Sequence, residues 1–286
     1  MNSFLGELAK QLAGKWLSLL VVPGALFVAS VVVGWRIRFG MWPAVDRFFT
    51  DLRDGRVTGL VLVAVAVGVL LVSAWAGILA RTLGRATHWL WLGQWPLRTG
   101  VPLARIRGWR WKRAHRRYEE AFRQDKPDQV LARLAHRRNR VSLAPPARPT
   151  WMGDQIAALS TRVQVEYHLD LEFGWPRLWL VLPEEVRTVL EEARESFNGA
   201  AALAGWGVLY TIAGVLWWPL GLVGLVTLVS AVVRGRSAAS NLAQLMESAV
   251  DLHGGSLAST LGITVQDNRL TPEVGSQITR AVRKGA

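Results

Sequence analysis

The sequence contains long stretches of apolar residues without a single charged side chain. These stretches cover residues 16–34, 57–80 and 200–233, and none of them contains Asp, Glu, Lys or Arg. A bilayer core about 30 Å thick is crossed by roughly 20 apolar residues in a helix. The first two stretches have about this length, so we expect an integral membrane protein.

The third stretch is too long for one straight span. Residues 200–233 as a single helix would measure about 50 Å at 1.5 Å per residue. The sequence Trp217-Trp218-Pro219-Leu220-Gly221 lies near its middle, and proline cannot donate to the helical hydrogen-bond ladder. We therefore predict a hairpin with its tip at the far interface; one long tilted helix is the alternative. The fold prediction is all-α, with four transmembrane helices in two hairpins.

Tryptophans cluster near the ends of the predicted spans. Their amphipathic rings are enriched where the hydrocarbon core meets water. Within the first span, Pro23-Gly24 predicts a kink. The residues that we predict as membrane-interface anchors are Trp16, Trp35, Trp89, Trp91, Trp95, Trp217 and Trp218.

Lysine and arginine predict the orientation. With both termini on the inner side, 29 of the 34 basic residues lie inside and five lie in the 35–56 loop. Only positive charges close to the spans carry much weight, and nine of these are inside against the five outside. We expect a multi-pass protein of the plasma membrane with both termini cytoplasmic.

The chain divides into five predicted regions. Residues 1–15 form an interfacial amphipathic helix, and residues 16–80 form the first transmembrane hairpin with spans 16–34 and 57–80. Residues 81–199 form a basic, helical cytoplasmic domain. The second transmembrane hairpin occupies 200–233, and residues 234–286 form cytoplasmic helices and a tail.

Local signals predict where several cytoplasmic helices begin and end. Thr150 is placed to cap a helix that runs to about His168. A turn is expected at Gly174-Trp175-Pro176, and Pro183 is expected to open a helix that continues into the third span. Gly254-Gly255 is expected to end the helix that follows the fourth span.

The densest positive charge follows the first hairpin, in a chain whose formal net charge is +13. Basic residues near an anionic membrane surface each contribute about 1 kcal/mol to binding. We therefore favour contact with anionic lipid headgroups over a solvated helix face. Nucleic acid is less favoured: Trp109 and Trp111 lie among the arginines, but no nucleic-acid module is present. The predicted headgroup contacts are Arg105, Arg107, Arg110, Lys112, Arg113, Arg116 and Arg117.

No pattern for catalysis, a cofactor or a metal is recognisable. The five histidines are scattered, and the chain has no cysteine. The groups Asp170/Glu172/His168 and Glu247/Asp251/His253 are interpreted as solvated surface. The spans contain no Asp, Glu, Lys, Arg or His, which argues against an ion-coupled transporter.

Small residues recur within the spans at Ala64/Gly68, Gly207/Thr211 and Gly221/Gly224. Small side chains let helices approach closely. Packing within one chain and packing between copies explain these pairs equally well.

Residues 148–263 contain RPTWMGD, LDLEFGWPRLWLVLPEEVR, GWGVLY, WWPL and VDLHGGSLASTLGI. This segment resembles uncharacterised multi-pass membrane proteins of actinobacteria, in which a similar proline-tryptophan turn precedes a membrane hairpin. The resemblance implies a bacterial membrane protein and no particular activity. The layout of two hairpins around a cytosolic domain is also similar to bestrophin-type chloride channels, although their motifs are missing here.

Two functions are favoured on the sequence alone, ahead of a membrane enzyme, which comes third because no acid–base pair is visible at an interface. The first is a non-enzymatic membrane scaffold or signalling protein with its basic domain held at the inner leaflet by anionic lipids. The alternative is a homo-oligomeric ion channel or pore-forming membrane effector. No cofactor is expected, and the sequence names no protein partner.

Overall fold

The computed structural model describes residues 22–39, 47, 50–51, 53–54, 58–95, 99–142 and 145–283. Across these ranges the regular structure is helical, without strands, which confirms the all-α prediction. The helices are α1 (Val22–Phe39), α2 (Gly59–Trp91), α3 (Val101–Arg123), α4 (Asp128–Asn139), α5 (Trp151–Tyr167), α6 (Leu171–Val181), α7 (Glu184–Ala213), α8 (Trp218–Thr260) and α9 (Pro272–Arg283).

Three of the described helices, α1, α2 and α8, are long and apolar enough to cross a membrane. They correspond to the first, second and fourth predicted spans. Residues 200–213, the first part of the predicted second hairpin at 200–233, form the end of α7, which is not among the three. The amphipathic helix at 1–15, the anchor Trp16 and the start of the first span lie outside the described residues. So does most of the predicted outer loop.

Two predicted helix starts are confirmed. Thr150 Oγ1 accepts a hydrogen bond from the Gly153 N–H at 3.0 Å, and α5 begins at the next residue. The helix ends at Tyr167, followed by His168 in the left-handed conformation, close to the predicted end. Pro183 directly precedes α7, as predicted.

The predicted turn at Gly174-Trp175-Pro176 is wrong, because these residues lie inside α6. Asp170 caps this helix, since its side chain accepts a hydrogen bond from the Glu172 N–H at 3.1 Å. The cap starts the helix before the glycine and proline are reached. Gly174 lies against the side chain of Leu169, where a Cβ would be 3.3 Å from Leu169 Cδ1.

The predicted helix end at Gly254-Gly255 is also wrong, because α8 continues to Thr260. A Cβ at Gly254 would lie 2.6 Å from Leu270 Cδ2, and a Cβ at Gly255 would overlap the backbone carbonyl of Asn268. These glycines therefore allow the segment before α9 to approach the helix. Tertiary packing requires them here, and they do not terminate the helix.

The chain forms two compact units. The first comprises residues up to Thr87 together with Ala201–Val232, and the second comprises His88–Ala200 with Val233–Ala286. Within the first unit, helices approach through their backbones. A Cβ at Gly24 would overlap the Ser73 carbonyl oxygen, and one at Gly205 would overlap that of Ala80.

The end of α7 and the start of α8 also pack closely within the first unit. The helices are separated by residues 214–217, and Gly207 contacts Leu228 while Thr211 contacts Gly224. Small residues at 207, 211 and 224 are thus used within one chain. Gly68 has no neighbour within 4 Å of a Cβ built there.

The second unit has a core of large aliphatic side chains. Leu159, Leu178, Val250, Leu257 and Ile278 are each at most 1% exposed and come from α5, α6, α8 and α9. A smaller cluster forms around Phe197 with Met152 and Ala239. These cores hold α5, α6, α7, α8 and α9 together.

Candidate membrane-surface site

Two side chains of α3 point inward and fix the rotation of this helix. Arg107 Nη2 donates to Asp154 Oδ2 at 2.5 Å and to the Val141 carbonyl at 2.9 Å. One turn later, Trp111 Nε1 donates to the Ser142 carbonyl at 2.9 Å. Because residues four apart share one face of a helix, the opposite face of α3 is turned outward.

Asp154 is the centre of this attachment. It lies in the first turn of α5 and is 3% exposed, and its Oδ1 accepts hydrogen bonds from the Ala147 and Arg148 N–H groups at 2.9 and 2.7 Å. Burial raises the pKa of Asp154 and lowers the pKa of Arg107, while the charge of each partner opposes the other's shift. One carboxylate thus joins α3, α5 and the proline-rich linker between α4 and α5, residues 145–149.

The outward face of α3 combines positive charge with apolar surface. Ile106 and Trp109 are 56% and 57% exposed, and the guanidinium carbon of Arg113 lies 5.6 Å from the Trp109 ring centre. Across the described residues, no acidic group lies within 4 Å of a cationic atom of this face. The exposed cations, which we call the α3 basic face, are Arg105, Arg110, Lys112, Arg113, Arg116 and Arg117.

Helix α4 packs against α3 and adds further exposed cations at Arg133 and Arg137, and Arg140 follows directly after its end. Arg138 is different, because its guanidinium carbon lies 5.1 Å from the Tyr118 ring centre and joins the two helices. The α3–α4 pair therefore presents a surface dominated by arginine.

Six of the seven predicted headgroup residues form the α3 basic face, and Arg107 does not. Its side chain is 16% exposed and is held by Asp154 and the Val141 carbonyl. This side chain could reach a phosphate only by leaving Asp154 buried without its counter-ion. Trp111, which the nucleic-acid interpretation used, is 9% exposed.

The predicted interface tryptophans differ in their surroundings. Trp35, Trp89 and Trp218 are 41%, 38% and 70% exposed. Trp95 and Trp217 are half-buried. Trp91 packs within the second unit, where its ring lies against Gly235 and its centre is 6.0 Å from that of Phe197.

Two sets of residues, Asp170/Glu172/His168 and Glu247/Asp251/His253, are interpreted from the sequence as solvated surface. In the structure, carboxylates from both sets connect separate parts of the chain. Asp170 accepts from Arg283 at 2.5 Å, and Glu247 accepts from Arg162 Nε and Nη2 at 2.7 and 2.6 Å. The Tyr167 hydroxyl donates to Asp251 at 3.0 Å. Burial, together with the hydrogen bond and charge of Asp251, raises the pKa of Tyr167 to about 12. Within the described ranges, no three potential ligands are grouped to hold a metal ion.

Sequence reasoning missed the role of Asp154 and the exposure of Ile106. The position of Asp154 in a capped first turn is visible in the sequence, but its partner lies 47 residues away. Only the inward contacts of Arg107 and Trp111 establish which face of α3 is outward. Comparison with protein-family models, curated proteins and solved structures finds no match to this chain.

Proposed function

We propose that this chain is an integral membrane scaffold or signalling protein, without enzymatic activity, in a bacterial plasma membrane. Its basic helical region is held against the anionic lipids of the inner leaflet, and both termini lie on that side. The exposed cationic and aromatic face of α3 is the observation that carries this proposal.

The proposed membrane part consists of four spans in two hairpins. Support for it comes from α1, α2 and α8, whose apolar side chains are exposed over long distances, including Leu60 at 83% and Trp75 at 71%. Apolar surface on this scale is unusual on a protein surrounded by water. The third span would be the 200–213 arm of α7, about 21 Å long at 1.5 Å per residue. A span this short requires local thinning of the bilayer.

The α3 basic face suits an anionic membrane surface for two reasons. Each of its six cations contributes about 1 kcal/mol at such a surface, an attraction that falls off within a Debye length of about 10 Å at 0.1 M salt. Ile106 and Trp109 add apolar area between the cations, which is typical of helices that lie in the headgroup layer. Stacking on single-stranded nucleic acid would use several exposed aromatics, whereas Trp111 is buried.

The absence of cysteine from the chain permits a direct test. The full-length Ile106→Cys variant would carry an environment-sensitive fluorophore and be placed in nanodiscs of phosphatidylglycerol or phosphatidylcholine. We expect a blue-shifted emission in the anionic discs that reverts when salt rises from 0.1 to 0.5 M, because screening weakens the attraction.

The matched control is Gln277→Cys, an exposed position on α9, which packs against α5 and α6; its emission should be the same in both lipids. Replacing all six cations with Gln should abolish the shift at position 106. Equal emission from position 106 in both lipids would contradict the lipid contact. The alternative of an oligomeric channel stays a prediction.

A further inference from the structure

A cavity of about 460 Å³ lies between α6, α7 and α8 in the second unit. Its wall is mainly apolar and includes Trp175 and Trp179 from α6 and Leu242 and Met246 from α8. Cavities of this size and character are typical of sites for small organic ligands. The polar groups of the lining therefore indicate the class of ligand.

Two opposite charges border this cavity. Glu191 and Arg194 are both exposed and lie one turn apart on α7. Residues three apart on a helix are well placed to pair with each other. Neither of them, however, forms an ion pair within 4 Å with any residue that the structure describes. A negatively charged carboxylate and a positively charged guanidinium are thus both available to a ligand at the same opening.

The two tryptophans add a surface for a cation. Their ring centres are 6.2 Å apart and their planes are inclined by 47°, so the rings form an angled wall. Tryptophan is the aromatic side chain that binds ammonium groups best through its face. With Glu191 at the same cavity, the tryptophan wall favours a positively charged group, and Arg194 favours a negatively charged one.

We propose that this cavity binds an amphiphile with a zwitterionic headgroup of the phosphocholine or phosphoethanolamine type. The apolar portion lies against Trp179, Leu242 and Met246. The ammonium group contacts the tryptophan wall and Glu191, and the phosphate pairs with Arg194. This proposal does not depend on the α3 basic face.

The test uses the full-length protein in phosphatidylglycerol nanodiscs, which contain no ammonium lipid. Hexylphosphocholine, hexyl phosphate and glycerophosphocholine are titrated by calorimetry, and empty nanodiscs are subtracted to remove partitioning into lipid. We expect hexylphosphocholine to bind about tenfold more tightly than hexyl phosphate, because only the former has the cation. Glycerophosphocholine, without an alkyl chain, should bind more weakly than hexylphosphocholine.

Variants identify which charge binds which group. Glu191→Gln should weaken the binding of hexylphosphocholine and leave that of hexyl phosphate unweakened, whereas Arg194→Gln should weaken both ligands. Glu192→Gln, an exposed neighbour that does not line the cavity, is the matched control and should bind like the unaltered protein. Unchanged thermal unfolding shows that each variant is folded.

Three results would overturn the proposal. Equal affinities for hexylphosphocholine and hexyl phosphate would show that the cavity does not bind the ammonium group. Equal binding of glycerophosphocholine and hexylphosphocholine would show a site for soluble headgroups and would exclude the amphiphile. A Glu191→Gln variant that binds normally would place any binding outside this cavity.

Discussion

The two units of this protein are held together in different ways. In the first unit, glycines bring helix backbones together, as at Gly205 and Ala80, while the large apolar side chains face outward. In the second unit, large side chains such as Leu178 and Ile278 fill a core, and buried or half-buried ion pairs join the helices.

The difference corresponds to two solvents. In lipid, burying an apolar side chain between helices gains little, so helices associate through close backbone contact. In water, burying the same side chain is the main source of stability. The first unit follows the lipid pattern and the second follows the aqueous one, which supports the proposed membrane location of the first unit.

The largest loss of stability is expected on substitution of Asp154. This residue joins α3, α5 and the linker in the second unit. Asp154→Ala leaves Arg107 without its counter-ion and also removes the acceptor for two backbone N–H groups. Removing one partner of a buried pair costs about 3–5 kcal/mol. We expect the lower end, since Arg107 is 16% exposed. Thermal unfolding in detergent, followed by far-UV circular dichroism, measures the loss.

Glu120→Ala, at an exposed position of α3, is the control and should stay within about 0.5 kcal/mol. The double variant Arg107→Ala/Asp154→Ala should be less destabilised than the sum of the two single variants. Additive effects would mean that the pair does not couple α3 to α5. The second unit would then be held together by its apolar core without a contribution from this ion pair.

A smaller but more specific effect is expected in the first unit. Gly205→Ala places a methyl group on the Ala80 carbonyl oxygen, and overpacking of this kind costs about 1–3 kcal/mol.

Gly68→Ala is the matched control, because a Cβ there has no neighbour within 4 Å. It should be neutral or stabilising by up to about 1 kcal/mol, since alanine favours a helix over glycine. The yield of monodisperse protein and its unfolding temperature measure both variants. Equal behaviour of the two would contradict backbone packing at Gly205.

Helix starts and apolar spans could be predicted because their causes are local. The Thr150 cap uses a donor three residues away, and the helix after Pro183 begins where proline and acidic residues favour it. An uncharged apolar stretch likewise carries its own signal. These features need no knowledge of distant parts of the chain.

The features that could not be predicted depend on distant partners. Gly254 and Gly255 look like a helix end until the segment around Asn268 and Leu270 is packed against them. Arg107 looks like its basic neighbours until Asp154 is brought to it. The turn predicted at Gly174 is an exception, because its cause is local. The cap at Asp170 favours the helix more strongly than the following glycine and proline oppose it.

The half-buried pair Arg162–Glu247 tests the second unit at lower amplitude. Its side chains are 30% and 28% exposed, and two hydrogen bonds join them. Glu247→Gln should cost about 1 kcal/mol, because the bidentate geometry places the pair at the upper end of the range for exposed ion pairs. In 1 M salt the difference from the unaltered protein should shrink as the charges are screened. A difference independent of salt would mean that packing, and not charge, accounts for the loss.

The smallest effect is expected at Tyr167, whose hydroxyl donates to Asp251 in an exposed position. At neutral pH, Tyr167→Phe should cost only about 0.5 kcal/mol.

The pKa of Tyr167 is raised from the ordinary 10.0 to about 12, so the folded protein holds this proton more tightly than the unfolded chain. The stability that the tyrosine contributes is therefore fully present below pH 10 and is lost as the pH rises from 10 towards 12. Chemical denaturation between pH 8 and pH 11.5 should show the unaltered protein losing its advantage over Tyr167→Phe across that window. Parallel curves for the two proteins would mean that the hydroxyl does not couple to Asp251, and that the junction of α5 and α8 depends on aliphatic packing and Arg162 alone.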